Sequence, residues 1–216
     1  SMEWFTLRDP VPWNMAWKKS VGPAITASLL EEIIFRGVFL GICLRAFRPA
    51  TAIIVVSLLF SALHFLQPPN DVAVFVQDAA IPAGAIYIDP NSPLSGFQLL
   101  QAIVMRFQNF ELVFFEFISL TVVGLILAYS RYATASLWLP IGLHTGWIFA
   151  YSSFKRIAIR TSELNEDLRY LIGSNLKEGL VPLATLSLTA LLVMLFVRIF
   201  PSRATRPDEG TIPPED

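Results

Sequence analysis

Long apolar stretches dominate this sequence, and few titratable residues fall inside them. Both histidines of the chain, His64 and His144, lie in such stretches, and so does the run EEIIFR at residues 31–36. A charged side chain costs about 2.5 to 3.5 kcal/mol at the centre of a membrane helix, so it is typical of a functional site with a partner nearby. The pattern predicts a reaction centre inside a lipid bilayer.

The composition is that of a polytopic membrane protein. Of the 216 residues, 54% are hydrophobic and only 15% are charged, and the mean hydropathy is +0.57. The formal net charge of −1 and the lack of a stripe rich in Lys and Arg argue against a nucleic-acid partner. We expect an integral, multi-pass protein whose partners are the lipid bilayer and a membrane-associated protein or peptide substrate.

The apolar runs predict an all-α bundle of about five transmembrane spans, with the active site between helices. The first span starts at Pro23, which suits the first helical position. The predicted spans are residues 23–47, 51–66, 111–129 (after a break near Asn109 in a helical stretch from 96 to 131), 135–154 and 180–200. Residues 67–95 are predicted to form a long irregular connection, of a length more typical of a lid than of a simple connector.

Composition also divides the chain into three regions. Residues 1–22 are an interfacial lead-in, because three tryptophans and the Lys18-Lys19 pair suit the headgroup layer. Ser1 before Met2 is typical of a scar left by tag removal. Residues 23–200 form the transmembrane domain. Residues 201–216 form an acidic, proline-rich tail that we expect to be disordered.

Helix geometry separates the two adjacent glutamates. Glu32 and Arg36 are four residues apart, with the acid first, which is the favoured arrangement for an ion pair on a helix. Neighbouring residues point about 100° apart, so Glu31 faces elsewhere and has no counter-ion on its own helix. Gly37 and Gly41 form a small-xxx-small pattern, which predicts close approach of a second helix beside this charged turn.

A site that combines Glu31 with His64 and His144 must be assembled from three helices. Such a site could activate water in two ways. In the first, Glu31 is the base, His64 holds the water and His144 donates to the oxyanion. In the second, the same three residues are ligands of Zn²⁺. Sequence spacing does not separate the two, although no HExxH motif is present to support a zinc site.

Three motifs resemble those of a known family. Residues 31–36 match EExxxR, residues 60–64 match FxxxH, and the run HTGWI at residues 144–148 resembles the first part of a motif Hxxx(N/D). In order and spacing they resemble the CPBP family, which comprises the type II CAAX prenyl endopeptidases and the bacterial Abi-type intramembrane proteases. The resemblance implies a helical membrane protease with a cavity open to the cytosolic side, here in the bacterial inner membrane.

The resemblance also implies a role for each site residue. Glu31 and His64 would activate the water, while Glu32 and Arg36 would form a supporting ion pair. His144 would stabilise the oxyanion. The glutamate-and-histidine mechanism attributed to the family needs no cofactor.

One position departs from the family pattern. Ile148 stands where the family has Asn or Asp, and it cannot donate a hydrogen bond. Losing one oxyanion donor costs about 10²- to 10³-fold in rate, so either another group such as Thr145 or Tyr151 replaces it, or the protein is a slow or inactive relative. The sequence predicts an intramembrane endopeptidase acting on a membrane-associated protein, with lipidated, CAAX-like proteins as one substrate class. The alternative is a catalytically inactive scaffold or chaperone-like binding protein with the same fold.

Overall fold

The computed structural model describes residues 5–65, 72–74, 86–88, 92–106, 110–160 and 180–200, and most of these are helical. The helices are α1 (Trp13–Glu32), a π-helical segment (Ile33–Phe39), α2 (Leu40–Ala46), α3 (Pro49–His64), α4 (Ser95–Arg106), α5 (Phe110–Thr134), α6 (Trp138–Ile157) and α7 (Leu180–Ile199). The predicted helical class is confirmed.

Short strands accompany the helices. They are β1 (Phe5–Leu7), β2 (Val72–Val74), β3 (Ile86–Ile88) and β4 (Ala158–Arg160). Strand β1 pairs antiparallel with β4, which ties the start of the chain to the end of α6, and β2 pairs parallel with β3. The connection predicted to be irregular at residues 67–95 therefore contains a strand pair; most of its other residues lie outside the described part of the chain.

A single row of buried residues runs along α1 and on through the π-helical segment. It takes every fourth residue: Ala16, Ser20, Ala24, Ser28, Glu32, Arg36 and Leu40. In α1 this row packs against the antiparallel α6, where Ser20 Oγ lies 3.2 Å from Ser152 Oγ and Ser28 Oγ hydrogen-bonds to Thr145 Oγ1. Small residues let two helices approach closely. The row therefore leads directly from a tight helix contact to the charged pair.

The helix start predicted at Pro23 is wrong. Helix α1 begins at Trp13, and Pro23 lies within it. Proline removes one backbone hydrogen bond, but helices packed in apolar surroundings tolerate this where neighbouring groups compensate. Ser20 and Ala24, on either side of Pro23 in the row, are both fully buried. The packing of α1 against α6 therefore outweighs the preference of proline for the first turn of a helix. The division into lead-in, domain and tail stays a prediction, and residues 201–216 lie outside the described residues.

Helix α1, the π-helical segment and α2 form one continuous helix, and its winding changes in the π-helical segment. The backbone N–H of Leu40 bonds to the carbonyl of Phe35, five residues earlier, which is the π-helical pattern. A row taken every fourth residue drifts round an α-helix, and a π turn, which holds more residues, turns the row back. Arg36 therefore stays in line with Glu32 and faces the interior. Single π turns occur frequently at functional sites.

Helices α3 and α5 meet at a second close contact. A Cβ placed on Gly124 would lie 3.0 Å from Cα of Ser57, which is closer than side chains normally pack. One turn along, Ser61 Oγ and Thr121 Oγ1 are 2.9 Å apart. This seam continues towards the C-terminal end of α3 and so sets the position of His64.

The close approach predicted at Gly37 and Gly41 is wrong. A Cβ on Gly41 would have no neighbour within 4 Å, and one on Gly37 would be 3.7 Å from Leu137, an ordinary contact. The small-xxx-small pattern carries no information about which helix lies opposite. Among the described glycines, the tight contact is at Gly124, between α5 and α3.

The remaining spans agree with the prediction to within a few residues. Helix α5 extends to Thr134, beyond the predicted end at 129, and α6 starts at Trp138 rather than at 135. Helices α3 and α7 match the predicted ranges 51–66 and 180–200 closely. The break expected near Asn109 falls on residues 107–109, which lie outside the described chain, as do residues 161–179.

Within the described part of the chain, two helices are long and apolar enough to cross a membrane by length and composition: Phe114–Thr134 and Leu180–Ile199. Only 33% and 11% of these windows are buried within the protein, whereas a core helix of a soluble protein would be mostly buried. Helix α3 is apolar but has 16 residues, and α1 carries Lys18 and Lys19. The prediction of about five spans is therefore not confirmed by composition and length.

Candidate active site

Three helices bring the five predicted residues together. Glu31 and Glu32 end α1, His64 ends α3, and His144 lies near the start of α6. Arg36 follows in the π-helical segment. No two of these three helices are consecutive in sequence, so the site depends on the two seams described above.

One part of the site is a buried triplet, formed by Arg36, Glu32 and His144. Arg36 Nη1 donates to Glu32 Oε1 at 2.8 Å, so the predicted ion pair is present. His144 Nδ1 lies 2.8 Å from the same oxygen, a contact that the sequence did not predict. The side chains of Arg36 and Glu32 are fully buried, and that of His144 is 8% exposed. The triplet fixes the orientation of His144.

The other part, which we call the open pair, is Glu31 and His64. Glu31 Oε2 lies 3.7 Å from Nε2 of His64 and also 3.7 Å from Nε2 of His144. These distances exceed those of direct hydrogen bonds. Oε2 is a buried atom without a hydrogen-bond partner, although the Glu31 side chain as a whole is 26% exposed and that of His64 is 20% exposed. The open pair is therefore the more exposed part of the site.

The hydrogen bonds assign the same tautomer to both histidines. His64 Nδ1 lies 2.8 Å from the carbonyl oxygen of Phe60, which can only accept, so Nδ1 carries the proton. His144 Nδ1 faces the Glu32 carboxylate, which also accepts. In the neutral form of each ring Nε2 is then unprotonated. Three hydrogen-bond acceptors, two Nε2 atoms and Glu31 Oε2, thus face one another.

This arrangement suits a small donor placed between the three acceptors. A water molecule has two O–H groups, which could satisfy two of the acceptors and leave its oxygen lone pair free to attack. The formal charges of Glu31, Glu32 and Arg36 sum to −1, which one additional proton on a histidine would balance. The oxyanion role expected for His144 requires that proton, because Nε2 donates only in the imidazolium form.

The sequence did not assign any role to Phe60, which touches both parts of the site. Its ring centroid is 4.2 Å from that of His64 and 6.1 Å from that of His144. Arg36 Cζ lies 4.4 Å from the same centroid. The signal was available, because Phe60 is the first residue of the FxxxH motif and stands one helical turn before His64.

The two residues expected to compensate for Ile148 have other contacts. The hydroxyl of Thr145 hydrogen-bonds to Ser28 in the seam between α1 and α6. The ring of Tyr151 lies beneath Lys155, with Nζ 5.5 Å from the ring centroid. The hydroxyl of Thr145 therefore takes part in the contact between α1 and α6. No residue is assigned as a second oxyanion donor.

The zinc alternative requires a particular arrangement of donor atoms. Nitrogen and oxygen ligands of zinc lie about 2.0 to 2.2 Å from the ion and surround it tetrahedrally. Within the described ranges, no group of three His, Cys, Asp or Glu side chains is arranged to hold a metal ion. The choice between water activation by Glu31 and the zinc-dependent mechanism stays a prediction.

A known family matches this part of the chain. The model of the family described as "Type II CAAX prenyl endopeptidase Rce1-like" matches residues 13–150. The chain belongs to this family. The match starts at the first residue of α1, ends within α6 and includes all five site residues. The resemblance to the CPBP family is thereby confirmed, and the chain is a member of a membrane-embedded protease family. No curated protein and no solved structure matches the chain.

Proposed function

We propose that this Rce1-like protein is an intramembrane endopeptidase in which Glu31 activates a water molecule to hydrolyse a peptide bond. The observation that carries the proposal is the position of Glu31 Oε2, a buried oxygen without a hydrogen-bond partner and equidistant, at 3.7 Å, from two imidazole nitrogens. Buried polar atoms are normally hydrogen-bonded, so an unpaired one between two histidines is suited to bind a reactant.

In the proposed reaction, the water donates one hydrogen bond to Glu31 Oε2 and the other to His64 Nε2. Its oxygen attacks the carbonyl carbon of the scissile peptide bond while Glu31 takes the proton. The tetrahedral intermediate then collapses. The C–N bond breaks, and Glu31 returns the proton to the leaving amine. The products are a carboxylic acid and an amine, with one water consumed.

His144 is the group best placed to stabilise the oxyanion. Glu32 accepts a hydrogen bond from its Nδ1, which directs Nε2 towards Glu31 and the reacting centre. In this role Nε2 carries a proton and donates to the oxyanion, while Arg36 balances the charge of Glu32. Removing a single oxyanion donor typically costs about 10²- to 10³-fold in rate.

The setting that we propose is a multi-pass bundle of about five spans in the bacterial inner membrane. At about 1.5 Å per residue, Glu31 lies about 20 Å from Lys18 along the continuous helix of α1, the π-helical segment and α2, and a similar distance from Arg45. Both lysine and arginine favour the headgroup layers, so the carboxylates lie near the middle of the bilayer. Apolar side chains on the outer helix α7, such as Leu192 at 56% exposure, would face lipid. A membrane-associated peptide is therefore the substrate that can reach the site.

The test uses the purified protein in lipid nanodiscs and a synthetic CAAX peptide in two forms, farnesylated and unmodified. Mass spectrometry should detect one C-terminal fragment with the wild type and none with Glu31→Gln. A preference for the farnesylated form would identify lipidated proteins as substrates. Equal rates for wild type, Glu31→Gln and His64→Ala would refute the proposal. Inhibition by a zinc chelator that added Zn²⁺ reverses would replace the mechanism by the metal-dependent one.

A second candidate function, an inactive binding scaffold, is favoured by one observation. Ile148 stands where the family pattern has a hydrogen-bond donor, and Thr145 is bound to Ser28. A scaffold would bind the peptide with equal affinity in the wild type and in Glu31→Gln and would not cleave it in long incubation. If the wild type is slow because of Ile148 alone, Ile148→Asn should raise the rate.

A further inference from the structure

Phe60 lies where the buried triplet and the open pair meet. It is 1% exposed, and its ring contacts Arg36 and both imidazoles. Its backbone carbonyl accepts the hydrogen bond from His64 Nδ1. One residue of α3 thus contacts groups on the π-helical segment and on α6 as well as the histidine on its own helix.

Arg36 depends on this ring because its other contacts are few. The guanidinium has five N–H groups and is 1% exposed. It donates to Glu32 at 2.8 Å and, at the long distance of 3.5 Å, to the carbonyl of Gly124. Nε is buried without a hydrogen-bond partner. The face of an aromatic ring 4.4 Å away attracts a desolvated cation, so the Phe60 ring supplies part of what hydrogen bonds do not.

The histidines depend on the ring for their orientation. The imidazole of His64 lies against it at a centroid distance of 4.2 Å, with 51° between the planes. The edge-on ring of His144 meets it at 6.1 Å and 73°. A 180° rotation of the His64 ring, which would exchange Nδ1 with Cδ2 and Nε2 with Cε1, would have to pass this ring and break the hydrogen bond to the Phe60 carbonyl.

We propose that Phe60 is a positioning residue of this site, whose ring holds Arg36, His64 and His144 so that both Nε2 atoms face Glu31. It does not touch the reacting atoms; it acts through the three side chains that it contacts. The activity readout of this inference rests on the proposed function, and the spectroscopic readout below does not.

Two substitutions separate positioning from packing. Phe60→Leu removes the aromatic ring but keeps an apolar side chain and the carbonyl. Phe60→Tyr keeps the ring but adds a hydroxyl in a fully buried place, which lowers stability unless the hydroxyl finds a partner. If Phe60 acts by positioning, kcat per folded protein should fall about 10- to 100-fold in Phe60→Leu at nearly unchanged KM. In Phe60→Tyr kcat should stay near the wild-type value although Tm falls.

Phe65→Leu is the matched control. Phe65 is also a phenylalanine and directly follows α3. It is 3% exposed, and its ring packs against Phe117 on α5. A purely structural role for Phe60 predicts that Phe60→Leu and Phe65→Leu lose activity only in proportion to their unfolded fraction. That result would overturn the proposal, and so would a lower kcat for Phe60→Tyr than for Phe60→Leu.

The histidine signals give a test that does not need turnover. The chain has two histidines, so ¹⁵N-histidine labelling gives two sets of NMR signals, which His64→Asn assigns. We expect Nδ1-protonated rings in the wild type and in Phe65→Leu, and mixed tautomers for His64 in Phe60→Leu. Unchanged tautomers in Phe60→Leu would overturn the inference. A wild type with this NMR pattern but without cleavage would instead contradict the proposed function alone.

Discussion

The buried triplet and the open pair differ in whether their carboxylate receives short hydrogen bonds. In the triplet, one oxygen of Glu32 receives hydrogen bonds from both Arg36 and His144 in a fully buried place. In the open pair, Glu31 Oε2 has two histidine nitrogens at 3.7 Å and no hydrogen bond. The two carboxylates are adjacent in sequence, and each has a buried Oε2 without a hydrogen-bond partner, but only Glu32 receives two short hydrogen bonds at its other oxygen.

This difference separates two functions within one motif. A buried charge pair with short hydrogen bonds is costly to break and therefore holds its neighbours in place. A carboxylate without such bonds keeps its lone pairs available for a reactant. Loss of Glu31 should thus affect the reaction, and loss of Glu32 should affect the fold first. The predictions below run from the largest expected effect to the smallest.

Glu31→Gln should abolish most of the activity and leave the stability unchanged. The amide has the shape of the carboxylate but cannot take a proton from water, and general-base catalysis is typically worth about 10²- to 10⁴-fold. The new N–H₂ group can donate to the histidine acceptors, so Tm should equal or exceed that of the wild type. Initial cleavage rates and thermal unfolding in the same detergent measure both effects. A clear fall in Tm would contradict the contrast between the two glutamates.

Glu32→Ala should destabilise the protein strongly. It leaves Arg36 buried without its counter-ion, and breaking a buried pair in this way costs about 3–5 kcal/mol. The check is the free energy of unfolding, or the yield of folded protein if the variant is too unstable to purify.

The double variant Glu32→Leu with Arg36→Met is the matched control for this loss. It should recover much of the stability, because apolar residues can replace a buried pair at little cost. It should not recover activity, since His144 loses its acceptor. Equal stability of Glu32→Ala and Glu31→Ala would show that the triplet does not support the fold.

Two substitutions of His144 test its two nitrogens separately. In His144→Asn the amide N–H can replace Nδ1 and keep the hydrogen bond to Glu32, but Nε2 is lost. We expect kcat to fall about 10²- to 10³-fold, the usual cost of one oxyanion donor, with little change in Tm. His144→Gln, whose amide reaches the Nε2 position, should lose the contact with Glu32 and lower Tm. The reverse order of Tm would contradict the contact between His144 Nδ1 and Glu32.

Local helix geometry was enough to predict part of the site. The spacing of Glu32 and Arg36 gave the ion pair, and the 100° step between neighbours separated Glu31 from it. The contact between Glu32 and His144 could not be predicted in this way, because it joins residues 112 positions apart and depends on how α1 packs against α6. The resemblance to a family placed the histidines at the site but did not supply this contact.

The fold shows the same limit. Apolar runs located most helices, because burial in lipid or in a core needs a continuous apolar face. The row from Ala16 to Leu40 repeats every four residues in the sequence, but the prediction rested on Pro23 as a start signal and did not use this period. The π-helical turn and the meeting of Gly124 with Ser57 were not predictable, since both result from packing between elements distant in sequence.

The smallest expected effects are changes in stability at two glycines. The sequence predicted a close helix contact at Gly41, whereas the structure has one at Gly124. Gly124→Ala places a Cβ 3.0 Å from Cα and Cβ of Ser57, so α5 and α3 must separate, at a cost of about 1–3 kcal/mol. Gly41→Ala meets nothing within 4 Å and should be neutral or stabilise by up to about 1 kcal/mol, because alanine is the better helix former. Chemical or thermal unfolding of the two variants measures this difference.

The same displacement should also affect activity. Since the carbonyl of Gly124 accepts from Arg36 at 3.5 Å, kcat should fall in Gly124→Ala and not in Gly41→Ala. A loss of stability without a loss of kcat would show that the seam supports the fold independently of the triplet.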